Sequence, residues 1–188
     1  MKNFLQIANG VDIMPLLFAI QRQPHLWDKN TLRTRHKQSP HTQVSDIWLR
    51  FNDLSPYQKS EEYSGIVDEH ESINYPAFSE LPQARILIFS LMARVEGERL
   101  GRCIISKLPA GCSIDPHVDG GSHASYYERF HIPLQTNKDC LFRCGDESVL
   151  MIPGTVWWFN NAIEHEVVNQ GVDDRIHLIV DIKTSVMK

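Results

Sequence analysis

The chain has 188 residues, of which 42% are apolar and 22% charged, and carries a formal net charge of −4. That length suits one domain with a full core, or one domain with a small annex, and the composition is that of a globular chain, not a disordered one. The acidic balance gives no footprint for nucleic acid, no Lys/Arg-rich block appears, and no apolar run approaches the roughly 18 residues of a membrane span.

The first twenty residues are broken by Asn9, Gly10 and Asp12, so they do not read as a signal peptide, and a cytoplasmic location is expected. In "DIMPLLFAIQRQPHLWD" the residues Ile13, Leu16, Leu17 and Ile20 recur at helical spacing, with Asp12 placed to cap. "KNTLRTRHKQSPHTQ" reads as loop and "DIWLRF" as strand. "SPYQKSEEYSGIVDEHESINYP" reads as an irregular connection. "SELPQARILIFSLMARV" predicts a helix with Ser79 as cap and Pro82 in the first turn; a buried strand over Ile86–Leu91 competes.

The pattern changes near residue 100. "RCIISKL", "RFHIPLQT", "CLFRC", "SVLMI", "TVWWFN", "HEVVN" and "RIHLIVDI" are short strand signals separated by turn residues such as "PAG", "TNKD", "GDE" and "PG". About seven short strands at such spacing suggest a mainly-β sandwich or barrel of jelly-roll type. The expected division is an N-terminal helical and irregular segment over 1–100, part of the same domain, and a β core over 101–188. Cys103, Cys112, Cys140 and Cys144 form no C-x-x-C pair, and small buried thiols are expected.

Three groups in the β half form a chemical set. His117 and Asp119, in "DPHVDGGSH", present an imidazole and a carboxylate on one face of an extended chain. His165 opens a later strand, and Arg175 follows on the next one. H-x-D by itself reads equally as a polar turn before Gly120 and Gly121. In conjunction, two imidazoles and one carboxylate leave three metal positions open, the arrangement of non-haem Fe(II) oxygenases. A guanidinium is suited to hold the distal carboxylate of a 2-oxo acid. The set therefore reads as Fe(II) with 2-oxoglutarate and dioxygen. The alternative is a non-catalytic jelly-roll protein that binds a metal or a small organic acid. His25, His36, His41 and His70 are expected in solvated loops, and His123 as a loop residue or at most a substrate contact.

The segments "ISKLPAGCSIDPHVDGG", "ERFHIPLQ", "FNNAIEHEVVNQG" and "RIHLIVDI", spanning roughly Arg102 to Ile182, resemble in that order the aspartyl/asparaginyl β-hydroxylases. "MPLLFAIQRQPHLWD" and "DIWLRF" resemble the front segment of shorter members of that family. The resemblance implies a double-stranded β-helix (cupin-like) with the N-terminal helices packed on it, and hydroxylation of a C–H bond in an amino acid, free or within a peptide or protein. It implies His117 and His165 as metal ligands, and Arg175 as the clamp on 2-oxoglutarate. It further implies Arg129, His131 and Ser106 as co-substrate contacts. Ascorbate is expected as a reductant. Animal members lack the carboxylate that Asp119 supplies here, so a three-residue triad is expected. Trp27, Arg33, Arg35, Trp48 and Arg50 are candidate substrate contacts, each with a plain reading as core aromatic or solvated charge.

Overall fold

The computed structural model describes residues 2–35, 38–54 and 70–185. Eleven strands and five helices run in the order β1 (Phe4–Ala8), α1 (Met14–Gln21), α2 (Leu32–Arg35), β2 (Ser45–Phe51), β3 (Ile73–Asn74), α3 (Pro76–Glu80), α4 (Pro82–Arg94), β4 (Gly97–Leu108), β5 (Ser113–His117), α5 (Gly121–Tyr126), β6 (Glu128–Gln135), β7 (Cys140–Cys144), β8 (Glu147–Val149), β9 (Val156–Phe159), β10 (His165–Asn169) and β11 (Arg175–Thr184) among the described residues. Two antiparallel sheets result. The larger has the order β1-β9-β6-β11-β4-β2-β3 and the smaller β5-β10-β7-β8. The mainly-β expectation holds, and β7 and β10 have the bounds read from the sequence.

Strand parity explains the layers. Successive side chains point to opposite faces. On β11, Ile176, Leu178, Val180 and Ile182 join one apolar cluster with Leu16, Ile20, Leu87, Ile88 and Leu91 of α1 and α4. The intervening Arg175, His177, Ile179 and Asp181 face the other way. There a second cluster unites Phe4, Leu108 and Phe159 of the large sheet with Ile114, Phe142 and Val167 of the small one. The large sheet is thus covered by helices on one face and by the small sheet on the other. Both faces of β11 are buried, and its run has almost no exposed position.

Several local details depart from the expected outline. The polar segment near residue 32 contains the short helix α2. Ser79 lies inside α3 instead of capping α4; Leu81, before Pro82, is held at φ −119° and ψ 64°, outside the helical region. Proline thus separates the two helices. Ile86–Leu91 is helical, because the apolar residues Ala84, Leu87, Ile88 and Leu91 recur at helical spacing and are the buried ones. β1 and β5 carry too weak an alternation to be read locally and are fixed by their partners, Phe4 opposite Phe159 and His117 opposite His165. β1, β2 and β3 place N-terminal residues within the large sheet. Residues 55–69 of the expected irregular connection, and His36, lie outside the described residues. The four cysteines are free thiols, three of them buried.

Leu178 is fully buried at the centre of the sheet. Leu178→Ala should cost about 2–5 kcal/mol in unfolding free energy, read from the midpoint of a denaturant titration at unchanged m.

A candidate metal centre and the polar cavity beside it

The β5–β10 ladder sets His117 directly opposite His165, with ring centroids 4.3 Å apart. Asp119 lies two residues past the end of β5, where its backbone N–H donates to the Asn161 carbonyl at 3.1 Å. Its Oδ1 is 3.7 Å from His117 Nε2, and its Oδ2 is 3.9 Å from His165 Nε2. One donor atom from each of the three lies within 4.8 Å of the others.

The tautomers follow from the second nitrogen. His117 Nδ1 lies 2.7 Å from the Asp115 carbonyl and His165 Nδ1 lies 2.9 Å from the Ile163 carbonyl. A carbonyl only accepts, so each Nδ1 carries the hydrogen and each Nε2 presents a lone pair toward Asp119. Burial lowers the pKa of His165, against the opposing pull of Asp119, which favours the unprotonated ring a metal needs. Donors about 2.1 Å from an ion and at right angles to each other lie about 3 Å apart. The two imidazole nitrogens lie 3.7 and 3.9 Å from the Asp119 oxygens, somewhat wider than that spacing. Two nitrogens and one carboxylate on one side of a point, with the other side facing a cavity, fit a divalent transition metal.

The cavity behind this cluster is lined by His131, Phe142, Phe159, Arg175 and Ile179. Arg175 is 2% exposed and is among the largest fully buried side chains. Its described polar contacts are neutral: Nη2 donates to His177 Nδ1 at 2.9 Å and approaches His131 Nδ1 at 3.5 Å, while its guanidinium faces the Phe142 ring at 5.8 Å. Burial pushes its pKa down to about 10. A buried cation whose contacts are neutral carries a desolvation cost on the order of several kcal/mol, which an arriving anion relieves. Burial, then the neighbouring Arg175, holds His131 and His177 well below the usual imidazole value, so both are neutral at physiological pH. Ser106 sits opposite His177 in the β4–β11 ladder; its Oγ and His177 Nε2 are buried without a hydrogen-bond partner among the described residues.

Arg129 stands between two carboxylates. Nη1 donates to Asp119 Oδ2 at 2.6 Å, and Nε and Nη2 donate to Asp181 Oδ1 and Oδ2 at 2.8 and 3.0 Å. Burial alone would lower its pKa, but Asp119 and Asp181 outweigh that and hold the proton firmly. Asp181 is itself pushed well below the usual carboxylate range, because Arg129 and His123 overcome the effect of burial.

His117, Asp119 and His165 come together, and Arg129, His131 and Arg175 line the adjoining space. Sequence reading missed three participants. His41, expected in a solvated loop, has its ring edge-on to His117 at 4.9 Å and its Nδ1 accepting from Arg33 at 3.3 Å. Burial, then Arg33, drives its pKa far down. No local pattern marks it, since a folded-over loop delivers it. His123, expected in a loop, lies on α5 at 1% exposure and donates to Asp181. Asp181 could have been found, since it shares the strand face of Arg175 and His177. Among the candidate substrate contacts, Arg33 reaches the cavity while pairing with buried Asp46 at 2.7 Å. Trp48 is core, stacked on Phe51.

A face-to-face antiparallel β fold holding a His/Asp/His set beside a buried arginine defines the class of Fe(II)- and 2-oxoglutarate-dependent oxygenases. Comparison with known proteins agrees. The family model for aspartyl/asparaginyl beta-hydroxylase matches residues 21–185, and the chain belongs to that family. It is a 2-oxoglutarate-dependent hydroxylase, and membership implies Fe(II) and 2-oxoglutarate. No curated protein matches the chain by sequence. Similar solved folds include a prolyl hydroxylase from Trichoplax adhaerens in complex with a hypoxia inducible factor oxygen degradation domain peptide fragment. It has 13% identity, TM-score 0.60, and a match over 97% of this chain and 84% of that one. A Pseudomonas putida prolyl-4-hydroxylase has 14% identity, TM-score 0.54, and coverage of 98% and 94%. A 2OG-Fe(II) oxygenase family protein from Burkholderia pseudomallei has 18% identity, TM-score 0.53, and coverage of 87% and 77%. At these identities they establish the fold alone. No helix among the described residues is long and apolar enough to cross a membrane.

The lowered imidazoles predict an acid-sensitive fold. In the unfolded chain His131 and His177 titrate near pH 6.5; in the folded chain they resist protonation until well below that. Their contribution to stability is complete above about pH 6.5 and is lost as pH falls, by about 1.4 kcal/mol per pH unit for each ring. Denaturant titrations between about pH 7.5 and pH 5 should show this slope, and His177→Asn should remove one ring's share.

Proposed function

We propose that the chain hydroxylates a C–H bond of an amino acid, free or as a residue of a peptide, with Fe(II) held by His117, Asp119 and His165 and 2-oxoglutarate anchored through Arg175. The observation that carries this reading is the buried Arg175, whose described polar contacts are two neutral imidazoles, in the cavity that the metal-binding set borders. Only an anion relieves that charge, and a guanidinium accepts a carboxylate through two parallel hydrogen bonds.

The chemistry supplied by Fe(II), 2-oxoglutarate and dioxygen together is insertion of one oxygen atom into a C–H bond, with succinate and carbon dioxide as co-products. The protein's share is position and exclusion of water. His117 and His165 present Nε2 lone pairs in fixed tautomers, and Asp119 supplies the anionic ligand. Arg175 receives the far carboxylate of the co-substrate, with His131 beside it. Arg129 lines the same cavity and Ser106 lies behind it, opposite His177 in the β4–β11 ladder; both are further proposed co-substrate contacts. Phe142 and Phe159 close the cavity with apolar rings against His131 and His165. The two histidines around Arg175 stay neutral, so they add no second positive charge that would overhold the carboxylate.

A second cavity of about 350 Å³ opens over Asp119, lined by Leu32, Arg33, His41, Phe51, Arg102 and Ile104 among others. That is the low end of small-ligand sites. Its size supports a substrate presented one amino acid at a time, and its opening over Asp119 suits a substrate carbon held near the proposed metal ligands. The Trichoplax adhaerens enzyme, whose structure holds a peptide fragment, is a precedent in the same fold for such presentation.

Incubation with Fe(II), ascorbate and 2-oxoglutarate should give succinate that rises with the right member of a panel of amino acids and peptides. Absence of both succinate and 2-oxoglutarate binding would overturn the reading. Arg175→Ala should weaken 2-oxoglutarate binding by a hundredfold or thereabouts, about 3 kcal/mol, as for truncation at a buried charge pair. Metal affinity should stay within about threefold, as expected for a residue outside direct contact with the metal site. Equal loss of both would indicate a folding role.

A further inference from the structure

We propose that Arg129, Asp181 and His123 form a positioning relay that reserves one oxygen of Asp119 and presents the other alone to the metal. The inference rests on the reading of His117, Asp119 and His165 as a metal set and goes beyond it by assigning work to three residues outside that set.

Asp119 could bind an ion in two ways. Oδ1 faces His117 Nε2 at 3.7 Å and Oδ2 faces His165 Nε2 at 3.9 Å, so neither oxygen is excluded by distance. A carboxylate that bound through both would fill one more metal position. The co-substrate chelates through two atoms and dioxygen needs a third, so all three open positions of a facial set are needed. Arg129 resolves the choice, since its Nη1 donates to Oδ2 at 2.6 Å and leaves Oδ1 for the metal.

Arg129 can do this because it cannot swing. Its Nε and Nη2 form a fork on Asp181 Oδ1 and Oδ2, directly across the β6–β11 ladder where Asp181 pairs with Arg129. A planar guanidinium pinned on one edge points its remaining nitrogen in a fixed direction. His123 holds the far end, 3.0 Å from Asp181 Oδ2, from within α5, the helix that follows the loop bearing Asp119. Asp181 also matches the charge of Arg129. The guanidinium can therefore orient Asp119 without neutralising it, and the carboxylate keeps its charge for the ion.

Arg129 also borders the co-substrate space, so activity alone cannot separate orientation from direct contact. Mn(II) affinity without 2-oxoglutarate does, because no co-substrate is there to be touched. In Mn(II) titrations followed by the magnetic resonance signal of the free ion, Arg129→Gln should bind about tenfold more weakly, as outer partners of metal ligands typically do. Asp181→Asn, which touches neither metal nor cavity, should weaken binding several-fold through an unbalanced Arg129. His123→Ala should follow in the same direction, with His123→Gln, which can still donate to Asp181, largely restored. In an Asp119→Gly background the Arg129→Gln change should alter Mn(II) affinity less than twofold, since the relay then has nothing to orient. Melting of the metal-free proteins identifies any variant that fails to fold; Arg129→Lys, which keeps the charge but cannot bridge two carboxylates, then replaces Arg129→Gln, with the same direction expected. Wild-type affinity in both Arg129→Gln and Asp181→Asn, or an equal loss with and without Asp119, would overturn the relay. If the wild type bound Mn(II) in a His165-dependent way, that result would leave the metal assignment standing. Failure of the wild type to bind Mn(II) would overturn both.

Discussion

Arg175, His177 and Asp181 leave β11 on the same side because side chains two apart on a strand share a face. On the other side Ile176, Leu178, Val180 and Ile182 are apolar and seal against α1 and α4. Once that seal forms, a guanidinium, an imidazole and a carboxylate are committed to the interior between the two sheets. Everything around the candidate site answers the cost of that commitment. His131 lies one strand away, Ser106 lies opposite His177, and Arg129 lies opposite Asp181.

The answers differ along the strand. At Asp181 the charge is matched within the protein by Arg129 and supported by His123. At Arg175 the described polar contacts are neutral rings, which leaves a positive site for a ligand carboxylate. One end of β11 is therefore electrostatically closed and the other is open to an anion. The closed end faces Asp119 of the candidate metal set; the open end is the proposed anchor for the co-substrate. A further pair, half-buried Arg33 with buried Asp46, brings His41 against His117 from the N-terminal half. The candidate metal set is thus contacted from both halves of the chain. The same burial that prepares the cavity makes its imidazoles resist protonation, so function and acid sensitivity share one cause.

The sequence by itself determined the strands with strong alternation or clear turn boundaries, such as β7 and β10, and the helix at Pro82–Arg94, because their signals are local. It also determined the chemical content of the site: an H-x-D, a distant histidine and an arginine, with the order of segments that marks the family. Tertiary structure decided what local pattern does not encode. Pairing created β1 and β5, and the register of β5 on β10 brought His117 opposite His165. Chain folding drew His41, expected as a loop residue, against His117 and brought Arg33 of the same stretch into the adjoining cavity. It buried His123 on α5 and joined it to Asp181. The physical reason is that alternation and caps involve neighbours a few residues apart. Which charge meets which, and whether an oxygen of Asp119 is held or free, depends on distances between residues far apart in the chain, which only sheet pairing fixes.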